Sequence, residues 1–260
     1  MKNYILVILA LAVACATENN SGDYGYNADS GSDAGQGGSM ARFTISGDYL
    51  YAVEHDKLKV FDLTIPEQPY RLPSKDQNLE AGAETIFTID TLLFIGSQNG
   101  MYIYNITNRE RPAFLSHTLH IKSCDPVVSD GHRAYVTLNS NSSWCGRTSN
   151  LLQVYDVSNP RQPRLLAEDP LNNPRGLGLL GNKLFICDNG IKLYDVSNPA
   201  RPEWVDDLDH IREIGEIQTY DVIPLPASLL VIGEDGLYQI DHTGERLSLI
   251  SKIEVKKEQQ

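Results

Sequence analysis

The stretch Lys192-Leu193-Tyr194-Asp195-Val196-Ser197-Asn198-Pro199 decides the fold, because related stretches recur four more times along the chain. Each runs from apolar strand residues into an Asp or Asn, with serine or threonine two positions later. The others are Lys59-Val60-Phe61-Asp62-Leu63-Thr64, Tyr102-Ile103-Tyr104-Asn105-Ile106-Thr107, Gln153-Val154-Tyr155-Asp156-Val157-Ser158 and Tyr238-Gln239-Ile240-Asp241-His242-Thr243. The shared positions lie 43, 51, 39 and 46 residues apart, which indicates five imperfect repeats.

The repeated stretch has a structural explanation. An Asp or Asn side chain at the end of a strand can accept a hydrogen bond from the backbone two residues on, which starts a turn. Prolines such as Pro160 and Pro199 then prevent the strand from continuing. Four units also place a proline seven residues after the Asp or Asn, at Pro69, Pro112, Pro163 and Pro202. The fifth unit has Ser248 at that place. Because the acidic residue recurs in nearly every unit, we interpret it as a turn former and not as a catalytic group.

Each unit is predicted to contain four strands. A short first strand leads through a tight turn to an apolar second strand, the repeated stretch forms the third, and a fourth follows the proline. The second strands are predicted over residues 49–53, 92–95, 134–138, 183–187 and 229–232. Four strands in roughly 40 residues make one propeller blade. The sequence therefore predicts an all-β fold, a small β-propeller of five blades over residues 41–255, and leaves open how the ring closes.

The units resemble the LVIVD repeat, which is named for such a strand followed by an Asp-x-Ser-Asn-Pro turn. Asp156-Val157-Ser158-Asn159-Pro160 and Asp195-Val196-Ser197-Asn198-Pro199 match that pattern fully, and the other three units match in part. The resemblance covers about residues 41–255. It implies a propeller of the kind found in lipoproteins of Bacteroidetes-like bacteria, and it implies no activity.

The N-terminus resembles a bacterial lipoprotein signal. An apolar run over residues 4–13 follows Lys2 and is too short to span a bilayer as a helix. It ends in Leu11-Ala12-Val13-Ala14-Cys15, which is similar to a lipobox and implies a signal peptide over residues 1–14 with lipid attached to Cys15. An ordinary secretory signal with an incidental cysteine is the alternative. Residues 15–40, rich in Asn, Ser, Gly and Asp, are expected to form a flexible tether, and residues 256–260 a polar tail.

The third unit has a long connection between its second and third strands, over residues 139–150. In a blade of this strand order, that connection and the links between blades lie on the same end of the disc. Cys124 is predicted to begin the first strand of the same unit, where the chain arrives from such a link, and Cys145 lies in the long connection. We therefore predict a disulfide between them. Trp144 and Arg147 are the candidate ligand contacts. Packing of Trp144 over the disulfide is the alternative explanation.

The chain shows no catalytic, metal or cofactor motif that we recognise. His117 and His120 have the spacing of a ligand pair but no third ligand close in sequence, so the six histidines are expected to be surface side chains. Gly176-Leu177-Gly178 is a glycine pattern within a strand, since no helix follows it. Cys187, in the middle of a strand, is expected to be a buried thiol.

The overall charge limits the kind of partner. A formal net charge of −12 and a pI near 4.9 argue against nucleic acid and against an anionic membrane surface. The membrane is expected to be reached through the lipid alone, in an exported cell-envelope lipoprotein with a monomeric domain. We expect a binding module for an unknown protein or glycan, and the alternative is a periplasmic or surface hydrolase or lyase. Three or more carboxylates and histidines converging at the channel mouth would favour the enzyme, and a mouth lined by backbone and apolar groups would favour the binding module.

Overall fold

The computed structural model describes residues 38–80, 82–119, 126–140, 150–208 and 217–255. These residues form five antiparallel sheets, each built from consecutive strands paired in chain order. The sheets are the blades of a β-propeller, so the predicted all-β fold with five blades is confirmed. Within the described ranges, no helix is long and apolar enough to cross a membrane.

The strands of each blade follow the predicted pattern. Blade 1 contains β1 (Phe43–Ser46), β2 (Tyr49–Glu54), β3 (Lys57–Asp62), β4 (Tyr70–Arg71), a 3-10 helix over Pro73–Lys75 and β5 (Gln77–Asn78). Blade 2 contains β6 (Ala83–Ile89), β7 (Leu92–Ser97), β8 (Gly100–Asn105) and β9 (Ala113–Leu119). Blade 3 contains β10 (Val127–Ser129), β11 (Arg133–Leu138), β12 (Leu151–Asp156) and β13 (Arg164–Pro170). Blade 4 contains β14 (Pro174–Leu180), β15 (Lys183–Asp188), β16 (Ile191–Asp195) and β17 (Glu203–Asp207), and blade 5 contains β18 (Thr219–Pro224), β19 (Leu229–Gly233), β20 (Gly236–Asp241) and β21 (Ser248–Glu254).

The core lies between neighbouring blades. The second strands of blades 2, 3 and 4 are buried along nearly their whole length, because both faces of each sheet are covered by adjacent sheets. Phe94, Tyr135 and Phe185 on these strands are fully buried. Complete burial of large apolar side chains on both faces explains why these strands read as continuous apolar runs and not as alternating ones.

The first strands of the blades contact one another in succession around the centre, β1 with β6, β6 with β10, β10 with β14, and β14 with β18. Residues just before β1 bond the last blade back to the first. Ser39 Oγ donates to Asp221 Oδ1 on β18 at 3.0 Å, and the Met40 amide donates to Asp221 Oδ2 at 3.2 Å. The Leu177 amide on β14 donates to Ser39 Oγ at 2.7 Å. The ring therefore closes through a short hydrogen-bonded segment, residues 38–41, which we call the latch.

The predicted turns are present in all five blades. In each, the Asp or Asn that ends the third strand accepts a hydrogen bond from the amide two residues on. The bonds are Thr64 N to Asp62 Oδ1 (2.8 Å), Thr107 N to Asn105 Oδ1 (3.0 Å), Ser158 N to Asp156 Oδ1 (3.0 Å), Ser197 N to Asp195 Oδ1 (2.7 Å) and Thr243 N to Asp241 Oδ1 (2.7 Å). The recurring acidic residues are thus engaged in turns at the ends of the third strands.

These turns give a prediction about acid stability. Hydrogen bonds from the serine or threonine two residues on hold the pKa of Asp62, Asp156, Asp195 and Asp241 below 3.8. A lowered folded-state pKa contributes stability that is present above the unfolded-state pKa and is lost as the pH falls through the folded value. Blade 2 already carries Asn105 here with the same backbone bond. Replacing the four Asp residues by Asn should therefore preserve stability at pH 7 and flatten its decline below about pH 4.

Urea unfolding at pH 7, 4 and 2.5 measures both parts of this expectation. If the four substitutions strongly lower the free energy of unfolding at pH 7, the charge of the Asp side chains, and not the acceptor oxygen, stabilises the turns. If the free energy of unfolding still falls below pH 4 as steeply as in the wild type, other carboxylates dominate acid unfolding.

Candidate binding site

A cavity of about 570 Å³ opens at the end of the disc where the first strands begin. All five blades contribute to its wall at or next to the start of a first strand, through Met40 and Arg42, Glu84 and Thr85, Pro126, Pro174 and Arg175, and Gln218. Asn139 joins them from the end of β11, where the connection from second to third strand of blade 3 begins. We call this site the mouth cavity. Links between blades and second-to-third connections share this end, as the strand order predicts.

Hydrogen bonds between blades 3 and 4 fix one wall of the mouth cavity. Asn139 Nδ2 donates to Asn173 Oδ1 at 3.0 Å and to the Pro174 carbonyl at 2.5 Å. Thr137 Oγ1 donates to the Arg175 carbonyl at 2.6 Å. The backbone that carries Arg175 is therefore held from the neighbouring blade, and the start of β14 is a rigid part of the site.

Blade 5 holds the side chain of Arg175. Its guanidinium lies 4.6 Å from the centre of the Tyr220 ring, which is a cation–π distance. Arg175 Nη2 also lies 3.5 Å from Gln218 Oε1. Neither partner neutralises the positive charge of Arg175, because one is an aromatic ring and the other is a carboxamide.

The latch contributes Met40 to the wall, and the residue before it is buried against the inner strands. Ser39 is 1% exposed, and Asp221, its partner on β18, is 8% exposed. Burial raises the pKa of the Asp221 carboxyl, while the hydrogen bonds from Met40, Ser39 and Val222 act in the opposite direction. A raised folded-state pKa contributes stability that is present at low pH and lost as the pH rises through it, the reverse of the turn aspartates.

The charges that line the mouth cavity come from three residues. Arg42 and Arg175 are positive, and Glu84, whose Oε1 accepts a hydrogen bond from Gln98 Nε2 at 3.1 Å, is negative. Among the described lining residues, Glu84 is the one carboxylate and none is histidine. The wall differs from both compositions considered from the sequence, since it is neither a cluster of acids and histidines nor a lining of backbone and apolar groups. It is rich in amide and guanidinium groups.

The site residues predicted from the sequence lie outside the described residues. These are Cys15, the proposed lipid attachment, Cys124 and Cys145, the proposed disulfide, and Trp144 and Arg147, the proposed ligand contacts. Cys124 belongs to the undescribed residues 120–125, and the other three of these loop residues belong to the undescribed residues 141–149. Pro126 follows the first of these stretches, Asn139 lies just before the second, and both line the mouth cavity. In the described part of the chain, no group of three or more His, Cys, Asp or Glu residues is placed to hold a metal ion.

The structure agrees with the expected burial of Cys187 and corrects the expectation for His242. Cys187 is fully buried as expected, and burial raises the pKa of its thiol far above the ordinary value. The expectation of surface histidines was wrong for His242, which is 4% exposed and places Nε2 2.7 Å from the Leu225 carbonyl oxygen. His117 stacks on the Tyr102 ring with centroids 3.9 Å apart. His117 lies in β9 and His242 directly follows β20, and the sequence did not predict their contacts because the contacting residues come from other strands or turns.

Arg42 and Arg175 were also missed by the sequence analysis. Neither belongs to a local motif, and 133 residues separate them (175 − 42). The repeat itself contains the signal that could have found them, because Arg42 directly precedes a first strand and Arg175 is the second residue of one. Aligning the units on the turn Asp or Asn would have placed the starts of all first strands at one end of the ring.

Comparison with known proteins supports the repeat and the fold. The family model of the LVIVD repeat matches residues 175–209, which correspond to blade 4. The chain thus carries an LVIVD repeat within a five-bladed β-propeller. A search of curated proteins found no match to the sequence.

Several solved structures share the fold at low sequence identity. A protein of unknown function from Desulfotomaculum acetoxidans is 11% identical with a TM-score of 0.61, over 86% of this chain and 70% of that one. AztD from Citrobacter koseri, in its apo form, is 13% identical with a TM-score of 0.57, over 81% and 64%. BamB from Moraxella catarrhalis is 14% identical with a TM-score of 0.53, over 82% of this chain and 60% of BamB. The chain therefore spans about three fifths of the length of BamB, and these likenesses concern the fold.

Proposed function

We propose that this protein is an exported, lipid-anchored binding module that takes its ligand into the mouth cavity. The observation that carries the proposal is a cavity of about 570 Å³ to which all five blades contribute. This volume is within the range of pockets that hold small ligands. Binding residues are common where loops meet a rigid scaffold, and the described parts of the links between blades lie at this end of the propeller.

Attachment to the cell envelope through Cys15 rests on the lipobox-like sequence. Two or three acyl chains on one cysteine bind a membrane firmly, since each buried methylene contributes about 0.8 kcal/mol. The full-length protein labelled with radioactive palmitate should partition into the detergent phase of Triton X-114. Cys15→Ser should lose both the label and the partitioning. Equal labelling of the two proteins would contradict the anchor.

The rim of the mouth cavity is the proposed place of Trp144 and Arg147, and of the Cys124–Cys145 disulfide. Support comes from the flanking residues, because Pro126 follows the first of these stretches and Asn139 precedes the second, and both line the cavity. A bridge would pin the long connection of blade 3 beside the opening, where an aromatic ring and a guanidinium could contact a bound ligand.

A peptide map tests the disulfide directly. We expect the peptides of Cys124 and Cys145 to migrate as one species without reductant and as two with it. Cys187 should be alkylated only after unfolding, because its thiol is buried and its pKa is raised. Separate peptides for Cys124 and Cys145 without reductant would disprove the bridge.

The binding proposal is tested by filling the mouth cavity. Gln218 is an exposed lining residue next to β18, and tryptophan there should occupy part of the opening. Ala227→Trp is the matched control, since Ala227 is exposed in the turn after β18, at the opposite end of the same strand. Native mass spectrometry of the full-length protein in detergent, after incubation with spent bacterial growth medium, should show a bound small molecule on the wild type and the control. Gln218→Trp should lose it.

Retention of the same adduct by Gln218→Trp would place the binding site elsewhere. Absence of any adduct on the wild type, after incubation with medium from cells that express the protein naturally, would count against a small ligand. Conversion of an added molecule into a product of different mass would support the hydrolase or lyase instead.

A further inference from the structure

We infer that the ligand of the mouth cavity carries a carboxylate group, which Arg42 and Arg175 bind. This inference deepens the proposed function and rests on it. The charge of the cavity contrasts with the charge of the protein as a whole. The chain carries a net charge of −12, yet two guanidinium groups and one carboxylate line this site.

Among the described residues, the two arginines have no anionic partner. Several basic side chains elsewhere are ion-paired, for example Lys192 with Asp188 at 2.7 Å and Arg164 with Asp156 at 3.2 Å. Among the residues that the structure describes, neither Arg42 nor Arg175 has a carboxylate within ion-pair distance. Glu84 lines the same cavity but forms an ion pair with neither of them. In a protein with an excess of acidic residues, two unpaired guanidinium groups in one cavity favour an external anion.

Arg175 is held in place before any ligand arrives. The guanidinium lies over the Tyr220 ring, and a hydrogen bond from Thr137 fixes the Arg175 backbone carbonyl. A cation–π contact uses the charge of the guanidinium and not its N–H groups, so N–H donors remain for a ligand. A side chain that is already ordered loses less entropy when the ligand binds.

The wall of the mouth cavity fits a carboxylate better than a phosphate. Guanidinium groups bind carboxylates and phosphates alike through two parallel hydrogen bonds, so the rest of the wall has to distinguish the two anions. Phosphate sites in proteins commonly use the N-terminus of a helix or a nest of backbone amides. In the described part of the chain the single helical segment is the 3-10 helix over Pro73–Lys75, which does not line the cavity. Side-chain amides such as Asn173 and Gln218 can bind the uncharged polar groups of the same ligand.

The test uses succinate as the probe and succinamide as its uncharged analogue. Saturation-transfer difference NMR detects weak binding through the methylene protons of either molecule, and it works with the full-length protein in detergent. We expect a saturable signal for succinate and none for succinamide. The apparent Kd for succinate should rise about tenfold or more in Arg42→Gln and in Arg175→Gln, because each loses a charge-assisted hydrogen bond. Arg161→Gln is the matched control, since Arg161 is exposed in the turn after β12, at the other end of the disc.

Three results would overturn the inference. The first is equal signals from succinate and succinamide, and the second is an unchanged Kd in both cavity variants. The third is displacement of succinate by inorganic phosphate at concentrations below the succinate Kd, which would indicate a phosphate ligand. If Gln218→Trp loses the adduct and any of these three results is also found, the binding proposal stands and only the inference of a carboxylate ligand is rejected. If Gln218→Trp retains the adduct, the mouth cavity itself is rejected as the binding site.

Discussion

Replacing Ser39 by alanine should lower the free energy of unfolding by about 2–4 kcal/mol, although the change deletes a single oxygen atom. Ser39 Oγ donates to Asp221 and accepts from the Leu177 amide, and the residue is 1% exposed. Removing it leaves the Leu177 N–H and one Asp221 oxygen buried with a partner missing. An unsatisfied buried group costs about 1–3 kcal/mol, and more when it is charged.

Urea unfolding at pH 7 measures this loss, with Ser158→Ala as the control. Ser158 is exposed in a repeated turn at the end of β12, so its replacement should cost well under 1 kcal/mol. A double-mutant cycle with Asp221→Ala should show coupling between positions 39 and 221, because the two side chains share a hydrogen bond. Equal small losses in Ser39→Ala and Ser158→Ala would mean that the latch does not hold the ring closed.

Replacing Gly176 by alanine should destabilise the protein by about 3 kcal/mol, the upper end of the usual cost of overpacking. A Cβ at this position of β14 would lie 2.2 Å from Asp221 Oδ1, 2.7 Å from Asp221 Cα and 2.8 Å from the Tyr220 carbonyl oxygen. Two of these atoms are backbone, so the neighbouring strand β18 has to move. The glycine pattern noted in the sequence is thus a point of close approach between blades 4 and 5.

Differential scanning calorimetry should show this as a fall in Tm of about 6–12 °C for a domain of this size. The control is Gly244→Ala in the turn before β21, where the nearest atom to an added Cβ is the Arg246 carbonyl oxygen at 3.7 Å. Its Tm should change little. A fall in Gly176→Ala no larger than in Gly244→Ala would show that β14 and β18 are less closely packed than the structure indicates.

The sequence predicted the fold because the fold is repetitive. Asp156 and Asp195 end third strands by local turn chemistry, and local chemistry can be read from neighbouring residues. Because the pattern recurs at similar spacing in five copies, the two weakly matching units, at Asn105 and Asp241, were also placed correctly. Both make the same backbone bond as the others.

The closure of the ring could not be predicted in the same way. Ser39 lies in the stretch assigned to a flexible tether from its composition, yet it is buried against strands β14 and β18. Its partners lie 138 and 182 residues along the chain. No propensity or period connects a serine to an aspartate so far away, and Asp221 does not occupy the repeated turn position. Contacts made once, between distant parts of the chain, leave no pattern in a single sequence.

The mouth cavity lies at the end of the disc where the sequence placed its candidate contacts, but the two cavity arginines were not among those candidates. The strand order placed the connections of all blades on one end, and the mouth cavity lies there. Arg42 and Arg175 were not predicted because an arginine at the start of a strand is common. Only the closed ring places the two of them in one cavity. Trp144 and Arg147, chosen from the unusual length of their loop, remain predictions for the rim.

Hydrogen–deuterium exchange along the full-length protein tests the central claim, that the mouth cavity is the binding site. The exchange is compared before and after loading with the molecule retained from growth medium. We expect slower exchange at the amides that begin the first strands, near residues 42, 85, 127, 175 and 219, with the turns at the opposite end unchanged. Protection confined to the opposite turns or to the outer strands, or no protection anywhere, would contradict the account.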